Sequence, residues 1–222
     1  AADMTPANIA NMAALMGLDV IAVADHNSTG NCGAVLSAAK RAGILALPAL
    51  ELCTQEEVHV LCLFPNLRSA EEFGEKVKKK LPPVRNNSAA FGRQVYMDDG
   101  DRELGEEAKL LANATGIELY DVAELMRKAG GIALPAHIGR YSFSLLSNLG
   151  FWDDEMGFKG VEMTRDSMPG LAAGKPEILS LPCLVNSDAH DLGSIQGREC
   201  FIEAEERSSE AVFAALQKLF GT

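Results

Sequence analysis

No stretch of this chain stays apolar for the ~18 residues a membrane span requires. Its opening, Ala1 to Pro6, has neither the charged nor the apolar segment of a secretory signal. The expected location is therefore the cytoplasm, with no membrane partner. Positive charge is also scarce: 20 Lys and Arg stand against 31 Asp and Glu, a net charge of −11. Such a surface repels a phosphate backbone, so long duplex nucleic acid is not expected as a partner, while a local basic pocket for one phosphate group remains open. The five cysteines, Cys32, Cys53, Cys62, Cys183 and Cys200, are odd in number and form no C-x-x-C pair. That excludes a disulfide framework and predicts reduced thiols, Cys53 and Cys62 being core residues within strands. There is no G-x-x-x-x-G-K, no strand followed by G-x-G-x-x-G and no G-x-S-x-G, so P-loop, dinucleotide-binding and nucleophile-elbow readings lose their ground. Internal repeats are missing too.

What is present is an ordinary core-forming composition, 47% hydrophobic and 23% charged over 222 residues. That suits one domain over 1–222 with an insertion. Thr5 and Pro6 open a helix whose Ile9, Met12, Ala13 and Met16 share a face and which Gly17 ends. Residues 18–24 form a short, almost wholly apolar run, expected as a strand buried on both faces and ending in Asp25-His26-Asn27. A helix from Ala34 to Ala42 leads to a strand from Ile44 to Leu50 that ends at Glu51. A further strand, Val58 to Phe64, carries His59 near its start. From about 66 to 116 the character changes to charge runs, Leu81-Pro82-Pro83 and few strand signals, expected as helices and loops on the periphery. A helix over 118–129 leads to strands over Ile132–Ala136, Lys159–Met163, Leu181–Val185 and Cys200–Ala204. The last helix, Ser209 to Phe220, is expected to bury Val212, Phe213, Leu216 and Leu219. Alternation of strand and helix makes the class α/β.

The four histidines are informative by position. His26, His137 and His190 each lie just past the C-terminal end of an expected strand, and Glu51 shares that address. His59 begins the next strand. In a barrel of parallel strands these ends converge on one face, where active sites sit. Imidazole and carboxylate together suit zinc, iron or manganese. Asp188 and His190, two residues apart, can point into the same site, and a carboxylate such as Glu51 can bridge two cations.

Five motifs in order carry a resemblance: Val23-Ala24-Asp25-His26-Asn27, Pro48-Ala49-Leu50-Glu51, Glu57-Val58-His59-Val60-Leu61, Pro135-Ala136-His137 and Asn186-Ser187-Asp188-Ala189-His190. Together they resemble the successive motifs of the PHP family of metal-dependent phosphoesterases, in its stand-alone bacterial form. The resemblance implies a distorted (β/α)7 barrel and two or three divalent metal ions, Zn, Fe or Mn. It implies His26, Glu51, His59, His137, Asp188 and His190 as metal ligands, with Glu51 bridging. Asp25 is expected to orient a ligand or a metal-bound water, Asp188 and His190 to serve catalysis, and Arg140 to hold substrate phosphate. Glu162, at a strand end, points to the site or to solvent.

The family's first-strand H-x-H has no counterpart here. Ala24 and Ala49 replace its usual Thr and Gly. An exposed apolar edge on strand 18–24 would invite aggregation, so a strand carrying H-x-H upstream of Ala1 is expected beside it. The expected activity is hydrolysis of a small phosphomonoester, nucleotide or short oligonucleotide by water that the metals activate. The alternatives are a non-catalytic metal- or nucleotide-binding module and an amidohydrolase; the latter usually carries a strand-end lysine that this sequence lacks.

Overall fold

The computed structural model describes residues 2–221 apart from 168–169, 172–173 and 199. Ala1, where the expected upstream strand would join, lies outside them. Helix α1 (Pro6–Leu15) starts where Thr5 accepts a hydrogen bond from the Asn8 N–H. Helix α2 (Cys32–Ala42) stops at Gly43, whose φ of 77° is the left-handed C-terminal cap that glycine favours. Between and after them run β1 (Val20–Val23), β2 (Leu45–Cys53) and β3 (His59–Leu63). Helix α3 (Leu67–Lys80) follows, then the short α4 (Ser88–Phe91) and a hairpin of β4 (Val95–Met97) and β5 (Glu103–Glu106). Helix α5 (Leu119–Lys128) leads into β6 (Ile132–Pro135). After α6 (Leu145–Asn148) come the parallel pair β7 (Val161–Thr164) and β8 (Cys183–Asn186) and the last helix, α7 (Ser209–Phe220).

The sheet order is β1-β2-β3-β6, with β1–β2 parallel and both β2–β3 and β3–β6 antiparallel. Strand directions are therefore mixed, whereas a regular (β/α) barrel has parallel strands throughout. Only a short turn, Thr54 to Val58, separates β2 from β3, and a parallel return needs a crossover of a dozen residues or so. The antiparallel return sets His59, at the start of β3, opposite Cys53, two residues beyond Glu51 on β2 and on the same face as Glu51. A backbone hydrogen bond, Ile138 N–H to the Glu162 carbonyl, ties the chain beyond β6 to β7. Among the described residues no ladder joins β8 to β1, so the hydrogen-bonded strands do not close a barrel. The outer edges of β1 and β8 instead line a cavity of about 450 Å³, with Leu47, Leu61 and Leu63 in its wall. For that reason β1 is only half-buried, with Ala22 exposed, and not buried on both faces as its composition suggests.

Strand periodicity sorts the core. Leu50, Leu52, Val60, Cys62 and Ala133 face one way, onto Phe73 and Val77 of α3 and Val122 and Met126 of α5. Leu47, Ala49, Leu61, Leu63, Ile132 and Leu134 face the other, onto Val212, Phe213, Leu216 and Phe220 of α7. Glu51 follows Leu47 and Ala49 at the two-residue spacing, and His59 precedes Leu61 and Leu63. Both polar side chains therefore stand at one end of an apolar row. Leu219, expected inside, is 56% exposed and Phe220 takes its place. Residues 200–204 make no strand, because only Ile202 packs on the core while Phe201 is exposed. All five cysteines are free, and Cys32, Cys53 and Cys62 are buried. Among the described residues no helix is long and apolar enough to cross a membrane.

The 66–116 segment contains a hairpin that its sparse strand signals did not show, and side-chain bonds tie it to α1. Asp101 caps α1, accepting from the Thr5 hydroxyl at 2.7 Å and the Ala7 N–H at 2.8 Å. Glu107 is buried and accepts from Lys78 Nζ at 2.7 Å, the Tyr96 hydroxyl at 2.8 Å and the Lys109 N–H at 3.1 Å. Burial alone would raise its pKa, but these three donors outweigh burial and hold it down to about 2. A depressed carboxylate stabilises the fold fully above its ordinary pKa and loses that contribution as pH falls through the folded value. The wild type should therefore lose on the order of 2–3 kcal/mol between about pH 5 and pH 2 through this group. Urea unfolding of wild type and Glu107→Gln at pH 6 and pH 3 checks it: the variant's stability should change less between the two pH values. Equal changes would remove Glu107 from the account.

Candidate metal centre

Three of the expected ligands meet on the carboxylate of a fourth, Glu51. His26 Nδ1 lies 2.8 Å from Glu51 Oε2, His59 Nδ1 lies 3.2 Å from the same oxygen, and His137 Nε2 lies 3.4 Å from Glu51 Oε1. His59 Nδ1 and His137 Nε2 are 3.1 Å apart. Glu51, His59 and His137 are buried, while His26 is half-exposed at the cavity. His190 is brought near but not into this knot: its ring centroid is 6.3 Å from that of His26, and its Nδ1 sits 2.8 Å from the Asp188 carbonyl. The Asp188 carboxylate forms an ion pair with Arg140. Arg140, expected on substrate phosphate, thus rests on an expected metal ligand.

Local backbone explains the convergence. Beyond β1 the pairing with β2 continues through Asp25, His26 and Asn27: the Glu51 N–H donates to the Asp25 carbonyl and the Asn27 N–H to the Glu51 carbonyl. Asn27 (φ 49°), His137 (φ 33°) and Asp188 (φ 45°) then take left-handed conformations that turn each strand end sharply over the site. Such conformations cost non-glycine residues on the order of 1 kcal/mol or more each and gather at functional sites. Asn27 holds its turn by donating from Nδ2 to the carbonyls of Leu111 and Asn113 and accepting from the Cys53 N–H.

The charges are set by this packing. Burial pushes the Glu51 carboxyl up, yet hydrogen bonding to His137, His26 and His59 outweighs it and holds its pKa well below the ordinary range. The bond to Glu51 raises His26, against burial. Burial raises Asp25, which bonds Asn31 Nδ2 at 3.1 Å. Asn31 also ties to the hairpin, accepting from the Met97 N–H and donating to the Val95 carbonyl.

Glu162 is buried, so the solvent alternative for it falls. Its carboxylate accepts from the His137 N–H, while burial drives its pKa up to about 7. Its position was legible as an acid inside the apolar strand Val161-Glu162-Met163. Phe143, in contrast, left no signal in the sequence. Its carbonyl accepts from the His59 N–H at 2.8 Å, and its ring stacks on His59 with centroids 4.7 Å apart.

This donor set fits a divalent cation. Tetrahedral ligands at about 2.0–2.2 Å from a metal stand about 3.4 Å from one another. His26, Glu51 and His59 offer donor atoms that all lie within 4.8 Å of one another. His137 Nδ1 and Glu162 Oε1 are buried without hydrogen-bond partners, unspent polar capacity of the kind a polar occupant or water satisfies.

No family's sequence profile and no curated protein sequence matches the chain. Solved structures do. Endonuclease Q from Pyrococcus furiosus, a lesion-specific endonuclease, matches 98% of this chain and 52% of its own, with a TM-score of 0.66 and 20% identity. A structure of endonuclease Q with a 27-mer duplex bearing an abasic lesion at the active site matches 98% and 53%, with a TM-score of 0.67 and 21% identity. This chain thus spans about half the length of those chains. A Bifidobacterium adolescentis protein described as a metal-dependent phosphoesterase matches 97% and 90%, with a TM-score of 0.56 and 16% identity. A Chromobacterium violaceum amidohydrolase with bound sulfate matches 88% and 86%, with a TM-score of 0.53 and 20% identity. The shared property is a fold that these hydrolases use. One expectation is corrected by the likeness: a net charge of −11 is no ground for excluding long duplex nucleic acid, because endonuclease Q, with this fold, holds a 27-mer duplex. Net charge averages over a whole surface, whereas backbone contact needs only a local patch and can draw on parts of a longer chain.

Proposed function

We propose that the chain is a metal-dependent phosphoesterase domain of the PHP type, acting on a phosphomonoester, a nucleotide or a nucleic-acid phosphoester. The observation that carries this reading is the knot of three imidazoles on the two oxygens of Glu51. His26, Glu51, His59 and His137 would hold one cation, and Asp188 and His190, beside His26, would serve a second. A cation held there would lower the pKa of bound water and polarise phosphoryl oxygens. Glu51 supplies fixed negative charge, Asp25 and Asn31 set the direction of the His26 segment, and Glu162 holds the His137 backbone. Arg140, 47% exposed on its side chain, can turn from Asp188 to a substrate phosphate.

The same reading completes the wall. The β1 and β8 edges face one apolar cavity and end at the metal centre, so one further strand between them would close the barrel and bring side chains to His26 and His190. Intact mass and N-terminal sequencing of the native protein decide this: a strand-length segment before Ala1 is expected, and its absence would leave the slot to another occupant.

The activity is tested by metal analysis of the purified protein and turnover of p-nitrophenyl phosphate. Turnover that EDTA abolishes and Mn²⁺ or Zn²⁺ restores is expected. Bound metal without turnover of any phosphoester would leave the non-catalytic module, and turnover of amides alone would turn the reading to an amidohydrolase.

A further inference from the structure

The loop that leaves β6 passes over the metal centre and is anchored at both ends. The Arg140 N–H donates to the His137 carbonyl at 2.8 Å, and the Arg140 guanidinium pairs with Asp188. At the far end the Ser144 hydroxyl donates to the Arg140 carbonyl at 2.8 Å, Ser144 and Ser147 cap α6 reciprocally, and Leu145 is fully buried. Phe143, in a left-handed conformation at φ 55°, folds back so that its ring lies nearly parallel to His59, with 19° between the planes. Between these fixed points Tyr141 is fully exposed, and Phe143 remains 40% exposed.

A tied-down loop thus presents an exposed phenol ring on the residue after Arg140, at the rim of the candidate metal centre. Tyr141 directly follows Arg140, so ring and guanidinium spring from Cα atoms about 3.8 Å apart. We propose that Tyr141, flanked by Phe143, is the stacking platform for the planar base of a nucleotide whose phosphoryl group lies at the metal centre beside Arg140. This rests on the phosphoesterase reading and narrows its substrate class to base-bearing phosphoesters. Stacking needs only a flat π face, which every base has. A base-free phosphate would use Arg140 and the metal centre but not Tyr141.

The test compares wild type, Tyr141→Ala and Tyr141→Phe, each loaded with Mn²⁺, by calorimetric titration with two ligands. One is the non-hydrolysable phosphonate isostere of adenosine 5′-monophosphate, and the other is methylphosphonate. Tyr141→Ala should weaken the nucleotide isostere about tenfold relative to methylphosphonate, and Tyr141→Phe, which keeps the π face, should match wild type. Equal weakening of both ligands, an unchanged nucleotide affinity in Tyr141→Ala, or no nucleotide binding by wild type would overturn the proposal. Turnover of adenosine 5′-monophosphate by wild type is measured alongside. If the isostere binds through Tyr141 and neither adenosine 5′-monophosphate nor any other phosphoester is turned over, stacking stands and the phosphoesterase reading falls.

Discussion

Glu51→Gln should leave the protein folded and strip its metal, with loss of more than one equivalent and a fall in phosphoester turnover of at least ~10²-fold. Glutamine keeps the shape of the side chain and removes its charge. In this structure three imidazole nitrogens within 3.4 Å all turn to that one carboxylate, and its pKa is held well below the ordinary range. Its hydrogen bonds thus favour the anionic form, which is what one or two cations need. His59→Ala removes a single imidazole donor and should cost less. Metal content by mass spectrometry, beside turnover, gives the answer, and unchanged metal and activity in Glu51→Gln would refute the central role of Glu51.

Arg140→Ala should lower turnover about 10²-fold with metal content intact, the cost expected for losing one donor to transition-state charge. The ion pair with Asp188 makes this a sharp test. If the guanidinium serves the substrate, its loss leaves Asp188 as free to hold a cation as before. If it serves only to position Asp188, the variant loses metal as well as activity, and Arg140 belongs to the scaffold. Arg140→Lys, which keeps the charge without the bidentate fork, should recover only part of the turnover.

The sequence made the site more legible than the fold around it. His26, Glu51 and His137 could be found because each interrupts or ends an apolar strand, where a polar residue is conspicuous, and His59 because it opens one. Strand direction was not legible, since an apolar run reads the same in a parallel or an antiparallel ladder. The antiparallel β3 follows from the short turn at Thr54–Val58, a limit of connection length that periodicity does not register. The half-buried β1 shows the same limit: Val20 to Val23 look doubly buried by composition, but burial depends on what stands beside the edge. Residues 200–204 were apolar enough to suggest a strand and had no ladder to join. The hairpin β4–β5 escaped notice because Glu103-Leu104-Gly105-Glu106 is exposed throughout and carries no core pattern. Asn27 and Phe143 work through backbone contacts with Leu111, Asn113, Cys53 and His59, which only the folded chain brings together.

The measurement that bears most directly on the account is anomalous diffraction from crystals of the Mn²⁺-loaded protein at the manganese edge. The account predicts a peak within about 2.2 Å of a Glu51 carboxylate oxygen and of at least two of the nitrogens of His26, His59 and His137. A protein that takes up Mn²⁺ elsewhere, or not at all, with Glu51 still bridging its three histidines, would contradict it.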